Sequence, residues 1–165
     1  MQEKTLANLQ AAFAGESQAN RKYLAFAKKA DSEGFKQVAK LFRAAAEAET
    51  IHAHAHLAVM GGVKDTKENL KEAINGETYE FQNMYPQMIK DAEAEGESAA
   101  KRNFSYANAV EEVHAKLYKS YLENIDNIKE EDIWVCPVCG MTFVGKAEDK
   151  CPVCATPKEK FILIK

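Results

Sequence analysis

Two Glu-x-x-His spacings and two Cys-x-x-Cys spacings are where chemistry could reside in this chain: Glu49 with His52, Glu111 with His114, Cys136 with Cys139, and Cys151 with Cys154. Both Glu-x-x-His pairs sit in stretches free of Gly and Pro, such as Ala44-Ala45-Ala46-Glu47-Ala48-Glu49-Thr50-Ile51-His52, which read as helix interiors. Three residues apart on a helix, a carboxylate and an imidazole project from one face about a turn apart. Steps of three and four residues place them on largely apolar seams: Val38, Phe42, Ala45, Glu49, His52, His56, Val59, and Phe104, Ala107, Glu111, His114, Tyr118, Tyr121, Ile125, Ile128. An ionised carboxylate inside a helical bundle is costly unless something neutralises it, and no Lys or Arg falls on these seams. A metal cation is the usual answer.

Two further predicted helices carry carboxylates in the same way. One seam reads Leu6, Leu9, Phe13, Glu16, Asn20, Tyr23, Ala27, and the other Glu77, Glu80, Phe81, Met84, Met88, Asp91. Glu16, Glu49, Glu77 with Glu80, and Glu111, together with His52 and His114, meet the requirement of a carboxylate-bridged pair of iron or manganese ions. That site takes a Glu from each of two helices and Glu-x-x-His from each of the other two. The set holds one carboxylate and one imidazole that could serve the same metal, Glu80 and His52, so these two ligands could interchange. Glu47, Glu112 and His54 fall off the seams and read as solvated, while His56 reads as a supporting or core histidine. Tyr23 and Tyr85 stand where a phenol could hydrogen-bond a ligating carboxylate, or simply pack.

All four cysteines lie between positions 136 and 154. Two paired knuckles in a reducing compartment describe a tetrahedral thiolate site rather than disulfides. Spacing alone leaves structural Zn²⁺ and redox-active Fe open. Trp134, Phe143 and Phe161 could wrap such a site in apolar surface.

The elements that must position these donors follow from the punctuation. A first helix is predicted from Glu3 to Ala30 and a second from Phe35 to Met60, stopped by Gly61-Gly62. Residues 63–75 read either as helix continuing through Gly76 or as a separate crossover, with a capping box at Asp65 and Glu68. The cost of a helical Gly, about 1 kcal/mol, favours a break near 76. A crossover of that length could leave the second and third long helices parallel. The third helix then runs from Gly76 to Glu95, strained at Pro86, and the fourth from Glu97 to Ile128. Composition changes after Lys129-Glu130-Glu131-Asp132, dividing the chain into 1–130 and 131–165. Ile133-Trp134-Val135 and Phe161-Ile162-Leu163-Ile164 read as short strands around the knuckles.

The chain of 165 residues, with 46% apolar residues and a formal charge of −3, suits one ordinary domain and a small appendage. Nothing suggests a nucleic-acid groove or a membrane surface. With no signal-peptide core after Met1-Gln2-Glu3-Lys4 and no spanning run, the expected location is the cytoplasm.

With both donor sets in view, the chain resembles the rubrerythrins over essentially its whole length. The likeness rests on Gly15-Glu16-Ser17-Gln18-Ala19, Ala48-Glu49-Thr50-Ile51-His52, Gly76-Glu77-Thr78-Tyr79-Glu80 with Met84-Tyr85-Pro86, Glu111-Glu112-Val113-His114, and the two Cys-Pro-Val-Cys knuckles. The resemblance implies a mainly α fold: a ferritin-like four-helix bundle, then a small rubredoxin-like four-cysteine metal domain with short β-strands. It implies a non-haem di-iron peroxidase that reduces hydrogen peroxide to water in an anaerobic or microaerophilic microbe. Residues matching Glu49 and Glu111 bridge the irons, those matching Glu16 and Glu80 bind one, and those matching Glu77 and His114 bind the other. On reduction the first iron would exchange Glu80 for His52. Cys136, Cys139, Cys151 and Cys154 would hold a single iron as FeS4. Electrons would come from rubredoxin or an NAD(P)H-dependent reductase and cross a head-to-tail homodimer. Ala155 departs from the Gly such knuckles usually carry, a small cost if that position needs positive φ, and Met141 departs from a common Tyr. Two other readings compete with this one: a ferroxidase or iron-storage protein of the ferritin type, and a non-catalytic bundle with a zinc staple.

Overall fold

Helix punctuation in this chain is repeated, and the repetition lays out the fold. In the computed structural model, which describes residues 1–165, α1 spans Glu3–Ser32 and α2 Lys36–Val59. The two turn back on each other through Gly34, at φ +86°, with the Phe35 N–H bonded to the Ala30 carbonyl at 2.9 Å. Further on, α3 (Thr66–Tyr79), a five-residue π turn (Glu80–Met84) and α4 (Tyr85–Ala94) follow without interruption and turn back into α5 (Ser98–Glu123). That turn uses Gly96, at φ +76°, and the Glu97 N–H bonds the Ala92 carbonyl at 2.8 Å. Only a residue without a side chain takes positive φ at no cost, so glycine stands at both reversals.

Gly34, Glu49 and His52 thus recur as Gly96, Glu111 and His114, each 62 positions on, while Glu16 recurs as Glu77, 61 positions on. The second hairpin has one residue more between its first carboxylate and its turn, and the π turn accommodates it. The Tyr85 N–H bonds back to the Glu80 carbonyl, five residues earlier. Pro86 explains why the widening occurs here: it has no N–H for an ordinary helical bond and its ring crowds the turn behind it.

The chain divides into two compact units, Met1–Lys64 and Asp65–Lys165. In the first, α1 packs antiparallel on α2. Asn20 Nδ2 donates to the Ala46 carbonyl at 2.7 Å and to Thr50 Oγ1 at 2.8 Å. Tyr23 joins Phe26 and Phe42 in a ring cluster with centroids 5.5–6.3 Å apart, so its ring packs within this hairpin. Val38 and Val59, expected inside, are exposed, since a two-helix layer covers only one side of each helix.

In the second unit the α3–α4 helix packs along α5, with Tyr85 against Phe104. Three expectations are corrected here. The helix does not break at Gly76: α3 starts at Thr66, where Asp65 Oδ1 accepts the Glu68 N–H at 2.9 Å, and runs through the glycine. That shrinks the expected long crossover to residues 60–65. Downstream of the π turn the seam is displaced by one position. Ile89 and Ala92 are covered, while Met88 and Asp91 are exposed. Finally, α5 stops at Glu123, short of Ile128, where Asn124 Nδ2 bonds back to the Ser120 carbonyl at 2.8 Å.

The end of the same unit is a three-stranded antiparallel sheet in the order β2-β1-β3, with β1 Ile133–Val135, β2 Thr142–Val144 and β3 Ile162–Ile164. Trp134 pairs with Phe143 on one side and Leu163 on the other. The sheet carries a core of Cys136, Phe143, Ala147, Cys151 and Phe161, with Trp134 and Met141 packed against it. Phe143 and Phe161 stack at 5.0 Å, giving the apolar wrap expected of them.

Candidate metal centres

The thiolate centre is assembled from two copies of one device. In Cys136-Pro-Val-Cys139-Gly140 the Gly140 N–H bonds the Cys136 carbonyl at 3.0 Å, and in Cys151-Pro-Val-Cys154-Ala155 the Ala155 N–H bonds the Cys151 carbonyl at 2.8 Å. The residue after each second cysteine has positive φ, +84° at Gly140 and +60° at Ala155. All four sulfurs converge as free thiols. Cys136 Sγ lies 3.5 Å from Cys154 Sγ, and Cys139 Sγ 3.4 Å from Cys151 Sγ. These separations far exceed a disulfide's roughly 2.05 Å. They approach the edge of about 3.8 Å expected for a tetrahedron of sulfurs some 2.3 Å from a central ion.

Electrostatics point the same way. Burial works against ionising Cys136, yet the N–H groups of Cys139 and Val138 aimed at its sulfur bring it down to about 6. Cys139 is pushed up, by burial first and then by the neighbouring sulfurs. Four thiolates cannot share this space without a cation among them.

The carboxylate donors form two triads, one in each unit. In the first, Glu16, Glu49 and His52 bring ligand atoms within 4.8 Å of one another. His52 Nδ1 lies 2.9 Å from Glu49 Oε2 and 4.0 Å from Glu16 Oε1. In the second, Glu77, Glu111 and His114 do the same. His114 Nδ1 lies 2.8 Å from Glu111 Oε2 and 3.7 Å from Glu77 Oε1. His52 is exposed and the other members of both triads are half-buried, so neither triad is as dry as its seam suggested. Burial, then the hydrogen bond and charge of Glu111, push Glu77 up to about 7. Two carboxyl groups and an imidazole nitrogen, crowded until one acid keeps its proton, suit a hard or borderline cation.

Glu80 lies outside the close triad. It opens the π turn, and its carboxyl is raised, by burial first and then by the charge of Glu111, with His114 opposing. Tyr85 follows the turn near the same acids: burial, then Glu80, Glu111 and Glu77, raise its phenol. Tyr85 therefore belongs to the neighbourhood of this triad. Glu47 and His54 are exposed, as their positions off the seam predicted.

One partner has no sequence signal. The far nitrogen of His114, Nε2, lies 2.9 Å from Thr142 Oγ1 on β2. A threonine in a short strand, 28 positions away, says nothing until the fold brings it there. His52 has no such partner on its own Nε2. Its side chain is 56% exposed against 26% for His114.

Comparison with known proteins agrees with both donor sets. The family model described as rubrerythrin matches residues 7–122, and that of the rubrerythrin rubredoxin-like domain matches 134–162. The chain is 39% identical to nigerythrin of Nitratidesulfovibrio vulgaris, covering 95% of this chain and 85% of that protein. It is 34% identical to rubrerythrin-2 of Clostridium acetobutylicum, covering 93% and 92%. Among solved structures, nigerythrin in its fully reduced, all-ferrous state aligns at 38% identity with a TM-score of 0.61, over 97% of this chain and 86% of that one. The chain therefore belongs to the rubrerythrin family, and its donor clusters match that family's two cofactors, a di-iron site and a rubredoxin-like single iron.

Proposed function

We propose that the protein is a non-haem di-iron peroxidase that reduces hydrogen peroxide to water, with electrons relayed through the iron of the C-terminal thiolate site. The observation that carries this reading is the presence in one chain of two carboxylate–imidazole triads and a closed four-thiolate cluster. A thiolate-bound iron is an electron carrier with no use to an iron store. Nigerythrin, the relative solved in mixed-valence and all-ferrous states, holds iron that changes oxidation state.

In this reading residues 1–130 supply the di-iron ligands and 131–165 the electron relay. Glu49 and Glu111 would be shared by the two irons, Glu16 and Glu80 would hold one, and Glu77 and His114 the other, with His52 available to the first iron in place of Glu80. When bound, the two irons supply two electrons and the Lewis acidity that weakens the O–O bond. The chain's own residues do the rest. The carboxylates would orient and neutralise, and Glu80, in the widened turn that leads into Tyr85, would handle a proton once it is free of iron. One peroxide consumes two electrons and two protons and leaves as two waters. Electrons arrive from rubredoxin or an NAD(P)H-dependent reductase, in a head-to-tail homodimer in the cytoplasm. No helix is long and apolar enough to cross a membrane.

The test is a peroxide pulse given to the anaerobically reduced, iron-loaded protein. The red ferric-thiolate absorbance should return at once, in proportion to peroxide. A slow return with peroxide, alongside rapid iron oxidation by O₂ in a particle of many hundreds of kilodaltons, would establish the ferroxidase reading instead. A colourless, zinc-filled thiolate site would leave only the zinc staple.

A further inference from the structure

His114 is held on both edges of its ring by different parts of the second unit. Nδ1 faces Glu111 and Glu77, while Nε2 meets Thr142 Oγ1 at 2.9 Å. The Thr142 hydroxyl donates its proton to the Gly140 carbonyl at 3.2 Å. Gly140 follows Cys139 in the first knuckle, where its own N–H is bonded to the Cys136 carbonyl. A hydroxyl has one proton and two lone pairs. Once that proton is given to Gly140, Oγ1 can only accept from the imidazole, so Nε2 carries the hydrogen. Nδ1 then turns an unprotonated lone pair toward Glu77 and Glu111, the form a cation there requires.

We propose that Thr142 is a positioning residue for the carboxylate–imidazole metal site. Through it, strand β2 of the thiolate domain sets the tautomer and ring orientation of His114. The proposal rests on the reading of His114 as a metal ligand. Its internal control is His52, the equivalent histidine of the first hairpin, which has no partner on Nε2 and is twice as exposed. One histidine is held on both edges of its ring, and the other on its Nδ1 edge alone.

The full chain loaded with Zn²⁺, which is diamagnetic and fills both kinds of site, provides the test. Thr142→Val keeps the shape and removes the hydroxyl, and Thr142→Ser keeps the hydroxyl. Chelator competition should show the carboxylate-site affinity reduced about 10- to 100-fold in T142V, as for other outer partners of ligating histidines. T142S should restore it, with the thiolate-bound zinc unchanged in both. Nitrogen-resolved NMR of the histidine rings should show a slowly exchanging Nε2–H on His114 in the wild type and T142S, lost in T142V. Where valine disturbs the strand, Thr142→Ala with its thiolate-bound zinc intact replaces it. Equal affinity and an unchanged Nε2–H signal in the hydroxyl-free variant would overturn the proposal. A wild-type chain that takes zinc only at its thiolates would overturn the metal-ligand reading of His114, and the proposal with it.

Discussion

The two helical hairpins are variations on one plan, and their differences are more informative than their likeness. Both reverse through a positive-φ glycine, both place Glu-x-x-His at the same distance beyond it, and both gather two carboxylates and an imidazole. The second hairpin adds two things. A π turn presents an extra acid, Glu80, where the corresponding stretch of the first hairpin has Ala19. A hydroxyl from the thiolate domain also reaches its histidine. A duplicated scaffold supplies paired donors, and small local departures make the two donors of a pair behave differently. The second triad is the more constrained, in covered side chains and in crowded charge.

The strongest way to abolish that asymmetry is to remove what clamps His114. Cys136→Ser leaves three thiolates in a small core organised around four, and structural thiolate sites of this kind are worth on the order of 10 kcal/mol or more in binding. The variant should lose the metal of the thiolate site and the order of β2. The exposure of His114, read by its reactivity toward diethyl pyrocarbonate, should rise to that of His52. A next-largest effect is expected from Glu80→Ala, which makes the second hairpin resemble the first at this position. Peroxide turnover should fall roughly 100-fold, the usual scale of a lost acid or base, with the ferric-thiolate spectrum unchanged. Unchanged turnover would remove Glu80 from the chemistry.

A smaller effect concerns protons. In the metal-free protein Glu77 is held near 7 against an ordinary 4.5, so between those values the folded chain keeps a proton that the unfolded chain has released. Stability therefore falls as pH rises from 4.5 to about 7, as far as this group governs it, and levels off above. Denaturant titrations of the metal-free protein should show that slope, and Glu77→Gln should flatten it. Divalent metal uptake at this triad should release protons and weaken below about pH 7. The smallest predicted change lies at Ala155, which occupies φ +60° where its twin knuckle has Gly140. Ala155→Gly should stabilise the thiolate domain by about 1 kcal/mol, seen as a later midpoint in chelator-driven unfolding.

What could be read from the sequence was chemistry carried by local periodicity. The Glu-x-x-His pairs and the cysteine knuckles follow from spacings of a few residues, while the backbone demand at Ala155 came with the likeness to rubredoxin-like knuckles. What could not be read depended on competition between distant terms. Propensity argued for a break at Gly76, but a capped start at Asp65 and packing along α5 outweigh about 1 kcal/mol of glycine cost. Pro86 announced a disturbance without saying which kind, and a widened turn moves the inward face by one residue, from Met88 and Asp91 to Ile89 and Ala92. Thr142 could be found only after the sheet had been placed on α5.

The surplus residue of the π turn has a mechanical consequence. One added residue rotates everything on one side of it by about 100° relative to the other. Deleting Gln82 or Asn83 would heal the helix into an ordinary spiral, yet swing Glu77 and Tyr85 out of their shared sector. The local irregularity is thus what keeps two halves of one long rod in phase with the same neighbour, and a straighter rod would be the poorer tool.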